Sequence, residues 1–142
     1  KSNKPVVTTG SMRPSTAVSA EGPLNLYNAV AVAANPESKG HGVMVVMNDQ
    51  ILGAHSVTKT NTTSVQTFMA PGHGQMGAVI YGKLEFYRTP HGIHTTDSEF
   101  SVDGVTQLPR VDIIYACADC SADLIKIMNN SPGLKSLKIK RI

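Results

Sequence analysis

The sequence predicts an α/β fold, a parallel sheet with flanking helices followed by the first βα unit of a second domain. Three features predict it. Gly42-Val43-Met44-Val45-Val46-Met47 is a continuous apolar run without alternation, the pattern of a strand covered on both faces. Before it lies a stretch that is apolar at almost every position, Leu24 to Ala34, preceded by a loop and a first short strand. That order is a βαβ unit, whose crossover is expected to be right-handed. A strand, a helix and the start of a further strand then recur near the C-terminal end, after residue 108.

Element by element, Pro5-Val6-Val7-Thr8-Thr9-Gly10 is an apolar, β-branched run stopped by glycine, hence a buried strand. Ser11 to Gly22 is a long loop, holding Pro14 and several hydroxyls. Pro23 suits the first turn of a helix. Asn35-Pro36 ends that helix, because the residue before a proline is pushed out of the helical region. A helix so uniformly apolar is expected between two layers, with Asn25 and Asn28 three apart on one side. Residues 48 to 76 read as polar loop with a single turn near Val65. Ala78 to Tyr81, Gly82-Lys83 and Leu84 to Tyr87 read as a hairpin with a two-residue turn. Val111 to Ala116 is a further strand, Ala122 to Met128 a helix and Leu137 to Ile139 a strand start. The polar stretch 89–107, closed by Leu108-Pro109, divides a first domain (1–107) from the beginning of a second (108–142). A unit this small cannot cover both faces of a sheet, so the sequence reads as the middle of a longer protein.

Composition narrows the function classes. With 41% hydrophobic and 16% charged residues over 142 positions, the chain suits a compact fold rather than extended disorder. No run approaches the ~20 apolar residues of a bilayer-spanning helix, and no secretory signal is visible, so no membrane partner is expected. The net charge of +3 points to nucleic acid only until the charges are located. Five of the thirteen bases (Lys126, Lys135, Lys138, Lys140 and Arg141) fall in an acid-free tail, leaving eight bases against ten acids before it. A nucleic-acid footprint needs bases spread over a folded face with groove-reading or aromatic elements. Here there is one basic run, and tryptophan is absent. A solvated tail is expected, and no nucleic-acid partner.

Other candidate sites are weak. Cys117-Ala118-Asp119-Cys120 stands between a strand and a helix, where a redox thiol pair would sit, but its flanks carry no further thioredoxin-like feature. One such pair with no second pair or histidine is too few ligands for zinc. His91-Gly92-Ile93-His94 has ligand spacing, yet Pro90 and Gly92 oppose a helix presenting both rings. No metal and no cofactor are expected. Arg13 and Glu21, both in the long loop, are expected to form a structural ion pair.

The informative stretches are Gly10-Ser11-Met12-Arg13-Pro14-Ser15-Thr16 with Ser19-Ala20-Glu21-Gly22-Pro23-Leu24-Asn25-Leu26, then Val45-Val46-Met47-Asn48-Asp49 and Val57-Thr58-Lys59-Thr60-Asn61-Thr62-Thr63. His94-Thr95-Thr96-Asp97-Ser98-Glu99-Phe100 and Leu108-Pro109-Arg110-Val111-Asp112-Ile113 follow. In this order and spacing, over about residues 4 to 125, the sequence closely resembles the bacterial-type (type II-like) L-asparaginases, amidohydrolases that include the glutaminase-asparaginases.

The resemblance implies hydrolysis of L-asparagine, with L-glutamine as the alternative substrate, to the acid and ammonia through a threonine nucleophile, in a homo-oligomeric (tetrameric) enzyme. Lys59 falls at the position of a lysine that assists proton transfer within a Thr-Asp-Lys set. A lysine among hydroxyls in a closed cleft can lose its proton and act as a base. Taken without the resemblance, Lys59 is an exposed lysine in a Thr-rich hairpin. Ser11 falls at a small residue whose backbone contacts the substrate, beyond the carboxyl end of a strand. Alone, it is an ordinary loop serine.

Two departures matter. The family's Thr-Gly-Gly-Thr nucleophile segment is missing: Thr8-Thr9-Gly10 lacks the second glycine and the threonine after it. The His-Gly-Thr-Asp-Thr segment is missing too, since His94-Thr95-Thr96-Asp97 corresponds to a later part of the family pattern. The resemblance puts both upstream of Lys1, so residues 1–142 alone are expected to be inactive. The wording around Ser15 to Val30 favours a periplasmic or secreted member. Two other expectations stand beside this one: a non-catalytic remnant acting by association through open sheet edges, and thiol chemistry at Cys117 and Cys120.

Overall fold

The computed structural model describes residues 1–108, 110–116, 118, 121–130 and 134–141. They divide into two units, Lys1–Ser101 and Val102–Ile142.

The first unit is a five-stranded sheet with one helix. β1 (Val6–Thr8) leads through the 9–21 loop into α1 (Gly22–Ala34), and β2 (Val43–Met47) returns parallel to β1. The α/β class and this βαβ-ordered start are as the sequence predicts. The sheet is not wholly parallel, however: its order is β1-β2-β3-β6-β7, and every pairing beyond β1–β2 is antiparallel. The first of these comes from β3 (Gln50–Gly53), inside a stretch expected to be loop. Asn48 and Asp49, at φ 51° and 59°, form a two-residue turn that folds β3 back on β2 in the register Met47↔Gln50. Positive φ at both central residues matches the right-handed strand twist, and Asn and Asp tolerate that conformation.

β4 (Thr58–Lys59) and β5 (Phe68–Met69) make a small separate hairpin. β6 (Gly77–Ile80) and β7 (Lys83–Phe86) form the expected second hairpin, but its turn is Tyr81-Gly82, one residue earlier than the sequence suggests. Both are left-handed, at φ 49° and 79°. Gly82 is further required by space, since a Cβ there would lie 3.0 Å from the Tyr27 hydroxyl. Gly77 is needed where β6 crosses β7: a Cβ would sit 2.4 Å from the Glu85 carbonyl oxygen.

The core lies between α1 and the sheet. Val32 on the helix meets Met44, Val46, Ile51, Met76 and Val79 on or beside the strands, with Phe86 and Leu84 at the edge. Each fully buried aliphatic side chain contributes roughly 1.5–3 kcal/mol. The helix is not buried all round as expected. Leu26, Tyr27 and Val30 are more than half exposed, because the sheet covers one side of α1 only.

In the second unit, β8 (Arg110–Ala116) and β9 (Leu134–Arg141) pair in parallel around α2 (Asp123–Asn129). The Asp123 amide donates to Ser121 Oγ (3.1 Å), capping the helix start. The strand start expected at Leu137–Ile139 is the longer β9, over Leu134–Arg141, which carries most of the basic run. Cys117 and Cys120 lie outside the described residues. No helix among the described residues is long and apolar enough to cross a membrane.

Candidate active site

The carboxyl ends of β1 and β2 open into a cleft of about 280 Å³. Gly10 and Ser11 line it from the loop after β1, Val45 and Met47 from β2, and Lys59 and Phe68 from the β4–β5 hairpin. The two residues singled out in the sequence, 48 positions apart, therefore share one cavity. Its position, beyond strand ends in an α/β unit, is where such folds bind ligands.

Buried side chains hold its floor. Asn25, 3% exposed on α1, donates from Nδ2 to the Gly10 carbonyl (3.0 Å) and accepts at Oδ1 from the Asn48 amide (3.1 Å). It thereby ties the end of β1 to the turn after β2. One helical turn on, Asn28 is fully buried. Its Nδ2 donates to Asp49 Oδ1 (2.9 Å) and to the Val79 carbonyl (3.3 Å), while its Oδ1 accepts from the Gly82 amide (3.1 Å). The pair of asparagines that the sequence placed on one side of the helix is thus a bracket across both left-handed turns.

The two threonines before Ser11 are committed to the sheet. Thr8 Oγ1 donates to the Met44 carbonyl (3.2 Å) and Thr9 Oγ1 to the Val46 carbonyl (2.7 Å). Each hydroxyl proton is thus used in joining β1 to β2, which suits a structural role better than a nucleophilic one.

The loop that follows is held from within. Glu21, at the N-cap of α1, takes the backbone amides of Met12 and Arg13 on its carboxylate, and the Arg13 guanidinium donates to the Ser19 carbonyl (2.8 Å). The expected side-chain ion pair is therefore replaced mainly by carboxylate-to-backbone contacts, with the Arg13 charge adding to them. The Met12 amide is the chief influence holding the Glu21 carboxyl below its ordinary range, against the opposing effect of desolvation.

Lys59 stands on a short, well-braced hairpin. The Thr60 amide and Oγ1 both donate to the Thr67 carbonyl (2.8 and 2.9 Å), and the Asn61 amide donates to the Oγ1 of buried Thr67 (2.8 Å). Asn61 Oδ1 accepts from the amides of Thr63 (2.9 Å) and Ser64 (3.0 Å), closing the loop. The Thr-Asn-Thr-Thr run is thus a scaffold that projects the lysine. Lys59 itself is exposed in this chain.

Among the described residues, no group of three or more His, Cys, Asp or Glu side chains is placed to hold a metal ion. A larger cavity, of about 570 Å³, lies at the other end of β2 and is lined by His41, His55, His91 and His94. These histidines are up to 53 positions apart; local spacing in the sequence pairs His91 with His94 but does not join them to His41 or His55.

Residues 1–92 match the family model described as Asparaginase, N-terminal. A probable periplasmic L-asparaginase from Haemophilus influenzae is 47% identical over 131 residues, covering 92% of this chain and 38% of that protein. L-asparaginase 2 of Escherichia coli is 50% identical over 121 residues, 85% of this chain and 35% of that one. A glutaminase-asparaginase of Pseudomonas fluorescens is 43% identical over 137 residues, 96% and 37%. The crystal structure of a probable cytoplasmic L-asparaginase from Campylobacter jejuni superposes with a TM-score of 0.91 at 43% identity, covering 99% of this chain and 46% of that one. The chain spans between about a third and a half of the length of these proteins. Their names also correct one expectation. Relatives of comparable similarity are named for the periplasm and for the cytoplasm, so the sequence features shared with them do not favour a periplasmic or secreted location. The chain belongs to the asparaginase family.

Proposed function

We propose that residues 1–142 are part of a longer amidohydrolase that hydrolyses the side-chain amide of L-asparagine or L-glutamine to the acid and ammonia. The observation that carries this reading is the shared cleft of Ser11 and Lys59 at the strand ends. Residues 1–107 contribute to the catalytic domain and 108–142 begin a second domain, in a protein that assembles as a homo-oligomer.

In this reading a threonine outside residues 1–142 attacks the side-chain amide carbon, and its hydroxyl proton passes through a set that includes Lys59. Ammonia departs with a proton delivered by that set, and water then cleaves the acyl-enzyme to release the acid. The backbone at Ser11 meets the substrate, fixed in place by the hydrogen bond between Asn25 and the Gly10 carbonyl. Lys59 must be a neutral amine to accept a proton. Exposed as it is in this chain, it depends on the rest of the protein closing over the cleft and disfavouring its charged form.

The test is ammonia release from L-asparagine by the whole protein carrying Lys59→Ala or Lys59→Arg. Loss of one member of a concerted catalytic set costs about 10³-fold or more in turnover. Arginine keeps the charge but cannot deprotonate, so it is expected to be as inactive as alanine. Turnover within about threefold of the unmodified enzyme in folded variants, well inside the scatter of an ordinary surface change, would sink the assignment.

A further inference from the structure

We propose, on the reading that the whole protein is a homo-oligomer, that the outer edge of β7 is a self-pairing surface whose partner is the same edge of a second copy of the chain. Among the described residues, β7 ends the five-stranded sheet and pairs with β6 only. Its backbone groups alternate in direction. The Tyr87 amide donates to the Met76 carbonyl (2.9 Å). The Val79 amide, opposite Leu84, turns away from β7 to the Asp49 carbonyl (2.9 Å). By that alternation Lys83 and Glu85 bond inward to β6, and the N–H and C=O groups of Leu84 and Phe86 point outward. No other described strand pairs with them. Such a row of free groups is a template for a further strand.

The side chains select both the partner and the register. Leu84 and Phe86 pack against the core, so Lys83, Glu85 and Tyr87 lie on the opposite face of the sheet. Among the described residues neither Lys83 nor Glu85 forms an ion pair. A two-fold axis at Leu84 sets two antiparallel copies of β7 in hydrogen-bonded register, each Leu84 donating to and accepting from the other. Lys83 then faces Glu85 of the partner subunit, and Glu85 faces the partner's Lys83. Both pairs fall at the close, non-hydrogen-bonded positions, where side chains interact most. Moving the axis by one residue opposes Lys83 to the partner's Lys83, or Glu85 to the partner's Glu85. Charge therefore favours one register over its neighbours.

The same register brings Tyr87, 54% exposed, to the partner's Tyr81, a turn residue that is 75% exposed. With Ile80 these rings line a shallow groove of about 460 Å³ on this face, which the second copy covers. A lysine on a sheet edge ordinarily repels stray strands. Here an acid stands two residues on, which makes the edge complementary to itself in one arrangement and repulsive in the adjacent ones. Strands of four residues fall short of the roughly 800 Å² per partner of a standard interface, so β7 is one contact within a larger assembly.

The experiment exchanges subunits between ¹⁴N- and ¹⁵N-labelled whole protein, treats the mixture with a water-soluble carbodiimide and maps the cross-links by mass spectrometry. An amide forms between a lysine amine and a carboxylate in contact with it, the reagent leaving as its urea. A Lys83–Glu85 link joining a light chain to a heavy one is expected. By sedimentation, Lys83→Glu and Glu85→Lys are each expected to weaken association by about tenfold or more, since each reversal turns two attractive pairs into repulsive ones. The variant carrying both reversals is expected to recover association to within about threefold. Damage to the fold would be compounded by the second reversal rather than repaired. If a single variant fails to fold, the cross-link and the double variant carry the comparison. A whole protein that sediments as a monomer contradicts the homo-oligomer, and the surface with it. An oligomer that ignores the reversals contradicts the surface alone. So does one whose Lys83 and Glu85 link only within a chain or to another segment.

Discussion

Glu21 shows how a charged side chain beside a candidate site is spent on structure. Its carboxylate accepts from the amides of Met12 and Arg13 and so fastens the loop that presents Ser11 to the start of α1. Its carboxyl is held below its ordinary value of 4.5, so folding favours the ionised form. The stability this adds is fully present above the ordinary range and is lost as the pH falls through the lowered folded value. The Met12 and Arg13 amide resonances are therefore expected to stay at their native positions down through pH 4.5 and to move only below it. In Glu21→Gln that acid transition disappears. A midpoint at or above 4.5, or a transition that survives the substitution, contradicts the arrangement. Lys59 could be named from the resemblance and its exposure from its Thr-rich setting, but that it shares a cleft with Ser11 could not. That proximity depends on how the β4–β5 hairpin is set against the end of β2, and no local pattern encodes it.

At the scale of elements, α1 organises the strand ends. Asn28 satisfies two acceptors and one donor, on β6 and on the turns after β2 and β6, over sequence separations of 21 to 54 residues. Asn28→Ala leaves the Gly82 amide and the Val79 carbonyl short of a partner inside the fold. An expected loss of about 3 kcal/mol follows, at roughly 1–3 kcal/mol for each unpaired buried group, measured by denaturant unfolding of the whole protein. A loss below 0.5 kcal/mol, the ordinary size of a surface change, contradicts the bracket. The sequence made the spacing of Asn25 and Asn28 legible but not their partners, because hydrogen bonds over such separations carry no local signature. β3 was illegible for a related reason. Gln50-Ile51-Leu52-Gly53 is short, its Asn-Asp turn lacks the usual glycine, and its strand character comes from pairing with β2 and β6 on either side. The β6–β7 hairpin was legible because two short runs rich in apolar, β-branched and aromatic residues flank a turn that contains Gly82, although glycine fits either turn position, which explains the one-residue shift.

For the whole molecule, a βαβ-ordered start extended by antiparallel strands places a cleft at the carboxyl ends of β1 and β2, the cleft to which we assign the proposed amide hydrolysis. The α/β class was legible because buried strands and a nearly all-apolar helix leave strong compositional runs. The mixed sheet was not, since the direction of a short strand depends on its turn. The uncovered side of α1 was hidden for a similar reason: Leu26, Tyr27 and Val30 have the composition of a buried face whether or not anything covers them.

The central claim, that substrate occupies the cleft between Ser11 and Lys59, is tested most directly by amine footprinting of the whole protein. Lysines are reductively methylated with and without saturating L-aspartate, the product of the proposed reaction, and quantified peptide by peptide. The account predicts that aspartate slows modification of Lys59 by about tenfold or more, as a contact excluded from reagent should be, while Lys39 and Lys83 react at unchanged rates. Equal slowing at all three lysines, or no slowing at Lys59 under conditions where the enzyme turns over, would contradict it.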